Sequence, residues 1–222
     1  MKGIAIDPYL AHIPASEARF YPLYGKCCEL NIPVFITMAP PPQVPGAILE
    51  YADPRDVDKV ARDFPELTII MSHGGYPFVN EAIYTCLRNA NVYMDISEYE
   101  RAPMVDVYVR AMNDLIPDKV LFASAHPFVE LADALDAYKH FDLSEEARRK
   151  VMMKGRPPRW FSSHRVLNWS MVEKQSASQT GPHPIDASPM LQMTMPGLRF
   201  TFLYRAAPTE MSADPPTMAL FG

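Results

Sequence analysis

Five short, unbroken apolar runs punctuate the first two-thirds of this chain: "GIAI" (3–6), "PVFIT" (33–37), "LTIIMS" (67–72), "NVYMDI" (91–96) and "KVLFAS" (119–124). A strand with one face in water alternates apolar and polar residues. A strand covered on both faces does not, so these runs predict strands buried on both sides. Helical patterns fill the intervals. Ser16 can cap a helix running to about Leu30, and Asp53 before Pro54 is an N-cap followed by proline at the first helical position. "YPFVNEAIYTCLRN", "PMVDVYVRAMNDL" and "VELADALDAYKHF" carry helical spacing, and Ser144 with Glu145 and Glu146 opens a last helix with acids at its positive end. Strand–helix alternation of this kind predicts an α/β fold with a parallel sheet and right-handed crossovers.

The pattern stops near residue 154. Beyond it lie 9 of the 23 prolines and no sustained period of 3.6 or 2, so residues 155–222 are expected to be a proline-rich, irregular tail behind a domain spanning 1–154. "LRFTFLY" is the tail's one strand candidate and could cover a sheet edge. His164 and His183 lie in the tail and are not expected to function.

The formal charge of −5 argues against nucleic acid, whose phosphates need a basic surface. No apolar run reaches membrane-span length, and "MKGIAIDPYL" lacks the apolar core of a secretory signal, so a cytoplasmic protein is expected. The three cysteines, Cys27, Cys28 and Cys86, fit neither a disulfide framework nor a zinc knuckle and read as small reduced core residues.

Parallel α/β folds keep their chemistry at the C-terminal strand ends. Those ends carry Asp7, then Thr37, then Ser72-His73-Gly74-Gly75, then Asp95 and Ser97, then Ser124 and His126. Each alone is a weak signal, and Asp7 and Asp95 taken singly read first as turn or cap residues. Together they aim two histidines, two carboxylates and several hydroxyls at one mouth. His73, Asp95 and His126 are the candidate catalytic residues, with the two histidine rings expected to face one depression. Gly74 and Gly75 are expected to let backbone approach closely and to clear space around the ring.

These residues resemble a known family. "GIAIDPYL", "RFYPLYGKCCELNIPVFI", "DKVARDFPELTIIMSHGGYPFVNEA", "NVYMDIS", "DKVLFASAHPF" and "LSEEARRKVM" follow in the order found in amidohydrolase-related proteins. That branch of the amidohydrolase superfamily includes carboxy-lyases like aminocarboxymuconate-semialdehyde decarboxylase, and lactone hydrolases. The resemblance implies a metal-dependent (β/α)8 TIM barrel acting on a small carboxylate or lactone substrate. It implies zinc or manganese held by a His-x-His pair, a third histidine and an aspartate, with the "SHGG" histidine acting on substrate or metal-bound water.

The sequence departs from that pattern. It has no His-x-His, Thr37 stands where the third histidine would be, and Ala125 stands where the aspartate would be. His73 matches directly, and His126 follows the lost aspartate and is a candidate substitute. The expectations are therefore no tight metal site in this chain and an incomplete barrel of five strands. Such a sheet has open edges that favour self-association. A truncated, impaired hydrolase or carboxy-lyase accounts for this, as does a non-catalytic binding or partner subunit derived from the same fold.

Overall fold

The computed structural model describes residues 3–44 and 46–152 in full, and the backbone of residues 153–154 and of two short strands further on. The chain divides into two compact units, Met1–Ser176 and Ala177–Gly222. In the first unit, five parallel strands lie side by side in sequence order: β1 (Ile4–Ile6), β2 (Val34–Thr37), β3 (Ile69–Ser72), β4 (Val92–Asp95) and β5 (Val120–Leu121). The expected parallel α/β sheet is thus present. Among the described residues β1 and β5 each have a neighbour on one side only.

The helices between the strands are α1 (Pro8–Ala11), α2 (Tyr21–Leu30), α3 (Pro54–Asp63), α4 (Val79–Arg88), α5 (Val105–Asp114), α6 (Leu131–His140) and α7 (Glu145–Arg149). Their starts obey local chemistry. The Asp53 side chain accepts from the Arg55 backbone N–H at 2.9 Å, with Pro54 in the first turn. Ser144 Oγ accepts from Ala147 N at 3.2 Å, the reach of a side-chain cap. The helix expected from Ser16 begins later: a 3-10 turn spans Ala18–Phe20 before α2. Ser16 instead donates to Asp56 on α3 at 2.6 Å, so its hydroxyl was drawn into a tertiary contact.

The period-2 alternation of strands divides the sheet's side chains between two faces. Val34, Ile36, Ile69, Met71, Val92, Met94 and Val120 join one core with Tyr24, Val57, Val60, Ala82, Cys86, Tyr108 and Met112 from the helices. Phe35, Ile70 and Tyr93, matched in register, point to the other face. Asp95 shares Tyr93's parity, so its carboxylate leaves the sheet on that second face, at the C-terminal end. The opposite, N-terminal end is fastened by polar clamps. Asn91 Nδ2 donates to the carbonyls of Ala61, Phe64 and Leu67 at 3.0–3.2 Å. Lys119 Nζ donates to Asn89 and Ala90 carbonyls at 3.1 and 2.6 Å and sits over the Tyr93 ring at 4.6 Å.

The three cysteines are free, and burial pushes the Cys27 thiol up to about 11, as inert core groups require. No helix among the described residues is long and apolar enough to cross a membrane. In the second unit, β6 (Thr194–Met195) and β7 (Leu198–Arg199) pair antiparallel. The rest of "LRFTFLY", His164, His183 and the expected irregularity of residues 155–193 lie outside the described residues.

Two glycines give opposite outcomes on substitution. Gly75 has φ +72°, and a Cβ there meets the Ala82 Cβ at 2.6 Å. Gly75→Ala is expected to cost roughly 2–3 kcal/mol, combining a left-handed backbone with overpacking. Gly25 lies inside α2 with open space where a Cβ would go. Gly25→Ala is expected to stabilise by about 0.5–1 kcal/mol through helix propensity. Urea unfolding of the two variants checks both signs.

Candidate active site

Asp95 ends β4 with its side chain almost wholly buried, 5% exposed. Its Oδ1 accepts from the Ser97 hydroxyl at 2.5 Å, from Ser97 N at 3.1 Å and from His73 N at 3.3 Å. A buried carboxyl oxygen is costly unless it finds such donors. The bonds also couple two neighbouring strand ends, because His73 follows β3 and Ser97 follows β4.

His73 opens a tight turn. Its own φ is +65°, and Gly74 and Gly75 follow at +65° and +72°. A left-handed histidine is uncommon and is held here by its surroundings. The two glycines do admit close backbone approach. The space is filled, however, by Tyr108, whose hydroxyl donates to the Gly74 carbonyl at 3.0 Å, and by Ala82. The room that the glycines make is taken by packing partners behind the turn.

The imidazole is oriented by its Nδ1, which lies 2.9 Å from the Ser97 carbonyl oxygen. A carbonyl only accepts, so Nδ1 carries a proton, and in the neutral ring the lone pair is on Nε2. The Ser97 hydroxyl is 3.3 Å from the same nitrogen and Glu98 Oε2 is 3.6 Å away. The Tyr99 ring lies 6.1 Å from the imidazole and stacks on Tyr76 at 4.7 Å.

The sequence DISEYE (95–100) supplies further groups. Glu98 has φ +72°. Tyr9, just after β1, is buried; its hydroxyl is pushed well above its ordinary value by burial first, then by the charges of Asp7, Tyr99 and Glu98. That coupling reflects α1 lying close to the loop after β4. Glu100 is 5% exposed, and its Oε1 has no hydrogen-bond partner among the described residues. Burial pushes its carboxyl up to about 7; its own backbone N–H and nearby His73 offset part of this, while Asp95 and Glu98 add to it. Ser97 was visible in the sequence as a strand-end hydroxyl, whereas Tyr9, Glu98 and Glu100 were not singled out. The signal available for the last two was three acids within six residues of a strand end.

His126 sits differently. Its side chain is 61% exposed and its Nδ1 lies 3.8 Å from Glu130 Oε2. Among the described residues no hydrogen bond or ion pair joins it to His73 or Asp95. The local backbone is distinctive: Ala125 before it has φ +54°, and the His126 backbone N–H donates to Ser124 Oγ at 3.3 Å. Thr37 ends β2 in register with Ser72. Among the described residues no group of three or more His, Cys, Asp or Glu side chains is placed to hold a metal ion.

The amidohydrolase family model matches residues 1–154. The chain belongs to the amidohydrolase family. No curated protein matches it significantly. Among solved structures, an uncharacterised TIM-barrel protein from Bordetella bronchiseptica is 26% identical with a TM-score of 0.64, covering 70% of this chain and 55% of that one. The 5-carboxyvanillate decarboxylase of Sphingomonas paucimobilis is 16% identical with a TM-score of 0.51, over 70% of this chain and 57% of that one. A dihydroxybenzoic acid decarboxylase from Polaromonas sp. JS666, with bound manganese and the inhibitor 2-nitroresorcinol, is 19% identical with a TM-score of 0.46, over 63% and 52%. The chain therefore spans about half the length of these solved relatives. Its five parallel strands are those of an incomplete TIM barrel.

The raised Glu100 carboxyl makes a stability prediction with a definite sign. Its ordinary value is 4.5 and its folded value about 7, so the folded state holds the proton more tightly. Between those values stability falls as pH rises, and above about 7 the full penalty is present. Glu100→Gln removes the titration. It is expected to stabilise by roughly 2–3 kcal/mol at pH 8 and by little at pH 4.5, read from denaturation midpoints at the two pH values.

Proposed function

We propose that this chain carries the acid–base part of a hydrolase or carboxy-lyase site for a small carboxylic acid or lactone, with His73 Nε2 as the proton-transfer group. The observation that carries the reading is the bond between His73 Nδ1 and the Ser97 carbonyl, which fixes the tautomer of the neutral ring and turns Nε2 away from the protein's own acceptor. Asp95 positions this unit by holding both the His73 backbone and Ser97. For a lactone, Nε2 takes a proton from the attacking water as its oxygen bonds to the carbonyl carbon, then returns it to the departing ring oxygen. For a carboxylic acid, Nε2 first takes up a proton from solvent, and the imidazolium then delivers it to the carbon as the C–C bond to the carboxylate breaks and carbon dioxide leaves.

Family relatives bind a metal, and the donors described in this chain do not match such a site. Thr37 offers one weak oxygen and Ala125 none, against the three or four protein ligands of a zinc centre. Those two positions also favour a second reading, a non-catalytic subunit that binds the same class of small acid without turning it over.

Two measurements separate these readings. With a panel of small aromatic acids and lactones, His73→Gln is expected to lower turnover by about 10²–10⁴-fold, the range for losing a general acid–base group. Saturable binding without any turnover in the unsubstituted chain selects the binding subunit instead. Equilibrium dialysis against zinc or manganese, then against micromolar chelator, is expected to leave well under one metal ion per chain. Stoichiometric retained metal means that ligands outside this residue set complete a centre, and His73→Ala then shows whether His73 is among them.

A further inference from the structure

Beside the His73 unit, between the loop after β4 and the start of α6, lies a cavity of about 360 Å³. That volume sits at the low end of small-molecule sites. Its charged lining is one-sided: Glu98, Glu100, Glu130 and Asp133 against the single cation Arg101. Arg101 is already engaged, with its guanidinium 3.5 Å from Asp136 and from the Asp133 carbonyl. Phe128 and Val129 supply an apolar wall, and the Phe128 ring is 65% exposed.

The independent sign of a ligand is Glu100. It lines the cavity, is 5% exposed, and leaves Oε1 without a partner among the described residues. A buried carboxyl oxygen with nothing to bond is costly, and a cation is the partner that compensates it. One residue past the lining Ala137 lies the buried Tyr138 hydroxyl, and Glu100 is among the charges that act on it. We propose that this cavity binds a small organic cation, a primary ammonium or guanidinium on a short apolar body, with Glu100 as its buried counter-ion and Phe128 against the apolar part. The chemistry selects an organic cation over a metal ion, because no metal-holding group is formed by these acids and half the lining is apolar. An aromatic face beside a cation adds a further attraction. The proposal stands apart from turnover at His73 and survives a failure of that reading.

The test is isothermal titration of the full chain at pH 8 with 2-phenylethylammonium, its neutral isostere 2-phenylethanol, and the anion 3-phenylpropionate. The expected result is saturable binding of one ammonium per chain, at least 10-fold tighter than the alcohol or the acid. Glu100→Gln is expected to abolish that preference. Should Glu100→Gln fail to fold, the paired exposed substitutions Glu130→Gln and Asp133→Asn are expected to reduce it several-fold. Equal affinity for the alcohol, a preference that survives Glu100→Gln, or one unchanged in the Glu130→Gln and Asp133→Asn protein overturns the proposal.

Discussion

The Asp95 carboxylate is the constraint on which the strand ends depend. One buried oxygen accepts the His73 N–H, the Ser97 N–H and the Ser97 hydroxyl. These bonds tie the turn after β3 to the turn after β4. They also place the Ser97 carbonyl where it takes the His73 ring proton. Removing the carboxylate would release both the backbone that positions the imidazole and the carbonyl that sets its tautomer. The ring's chemistry is therefore a second-order consequence of a buried acid that need not touch substrate.

Strain is concentrated at the same end of the sheet. His73, Glu98 and Ala125 are all in the left-handed region, and each follows a strand end. Such conformations cost of order 1–3 kcal/mol each for residues with a Cβ and persist only where packing over-determines them. Tyr108 and Ala82 do this for the turn after β3, pressing on Gly74 and Gly75 from behind. The opposite end of the sheet has a different character. There Asn91 and Lys119 satisfy backbone carbonyls, an arrangement that serves stability. The division matches the general rule for β/α barrels, with chemistry at the C-terminal face and fastening at the other.

The acidity of the mouth gives it a specific electrostatic bias. Asp95 Oδ1 accepts from three donors, whereas Glu100 is buried with its Oε1 unpartnered among the described residues, and burial pushes its carboxyl up to about 7. A group kept in so unfavourable a state raises the local affinity for positive charge, which is the physical basis for assigning the neighbouring cavity to a cation.

The sequence by itself determined the element order, the parallel sheet and the family. Continuous apolar runs specify strands covered on both faces, and alternation with helical periods leaves few topologies. It also located His73 and Asp95, because strand ends can be read from where the apolar runs stop. His126 was readable only as a strand-end residue. Its exposure and its contact with Glu130 depend on the backbone at Ala125 and on the placement of α6, neither of which has a local signature. Ser16 shows the same limit: a good cap by type, it was diverted to Asp56, 40 residues away. The tautomer of His73, the unsatisfied Glu100 and the cavity beside it arise from groups brought together across strands. Sequence spacing cannot set those relations, because the sheet's pairing and the packing of α6 decide which side chains share a neighbourhood.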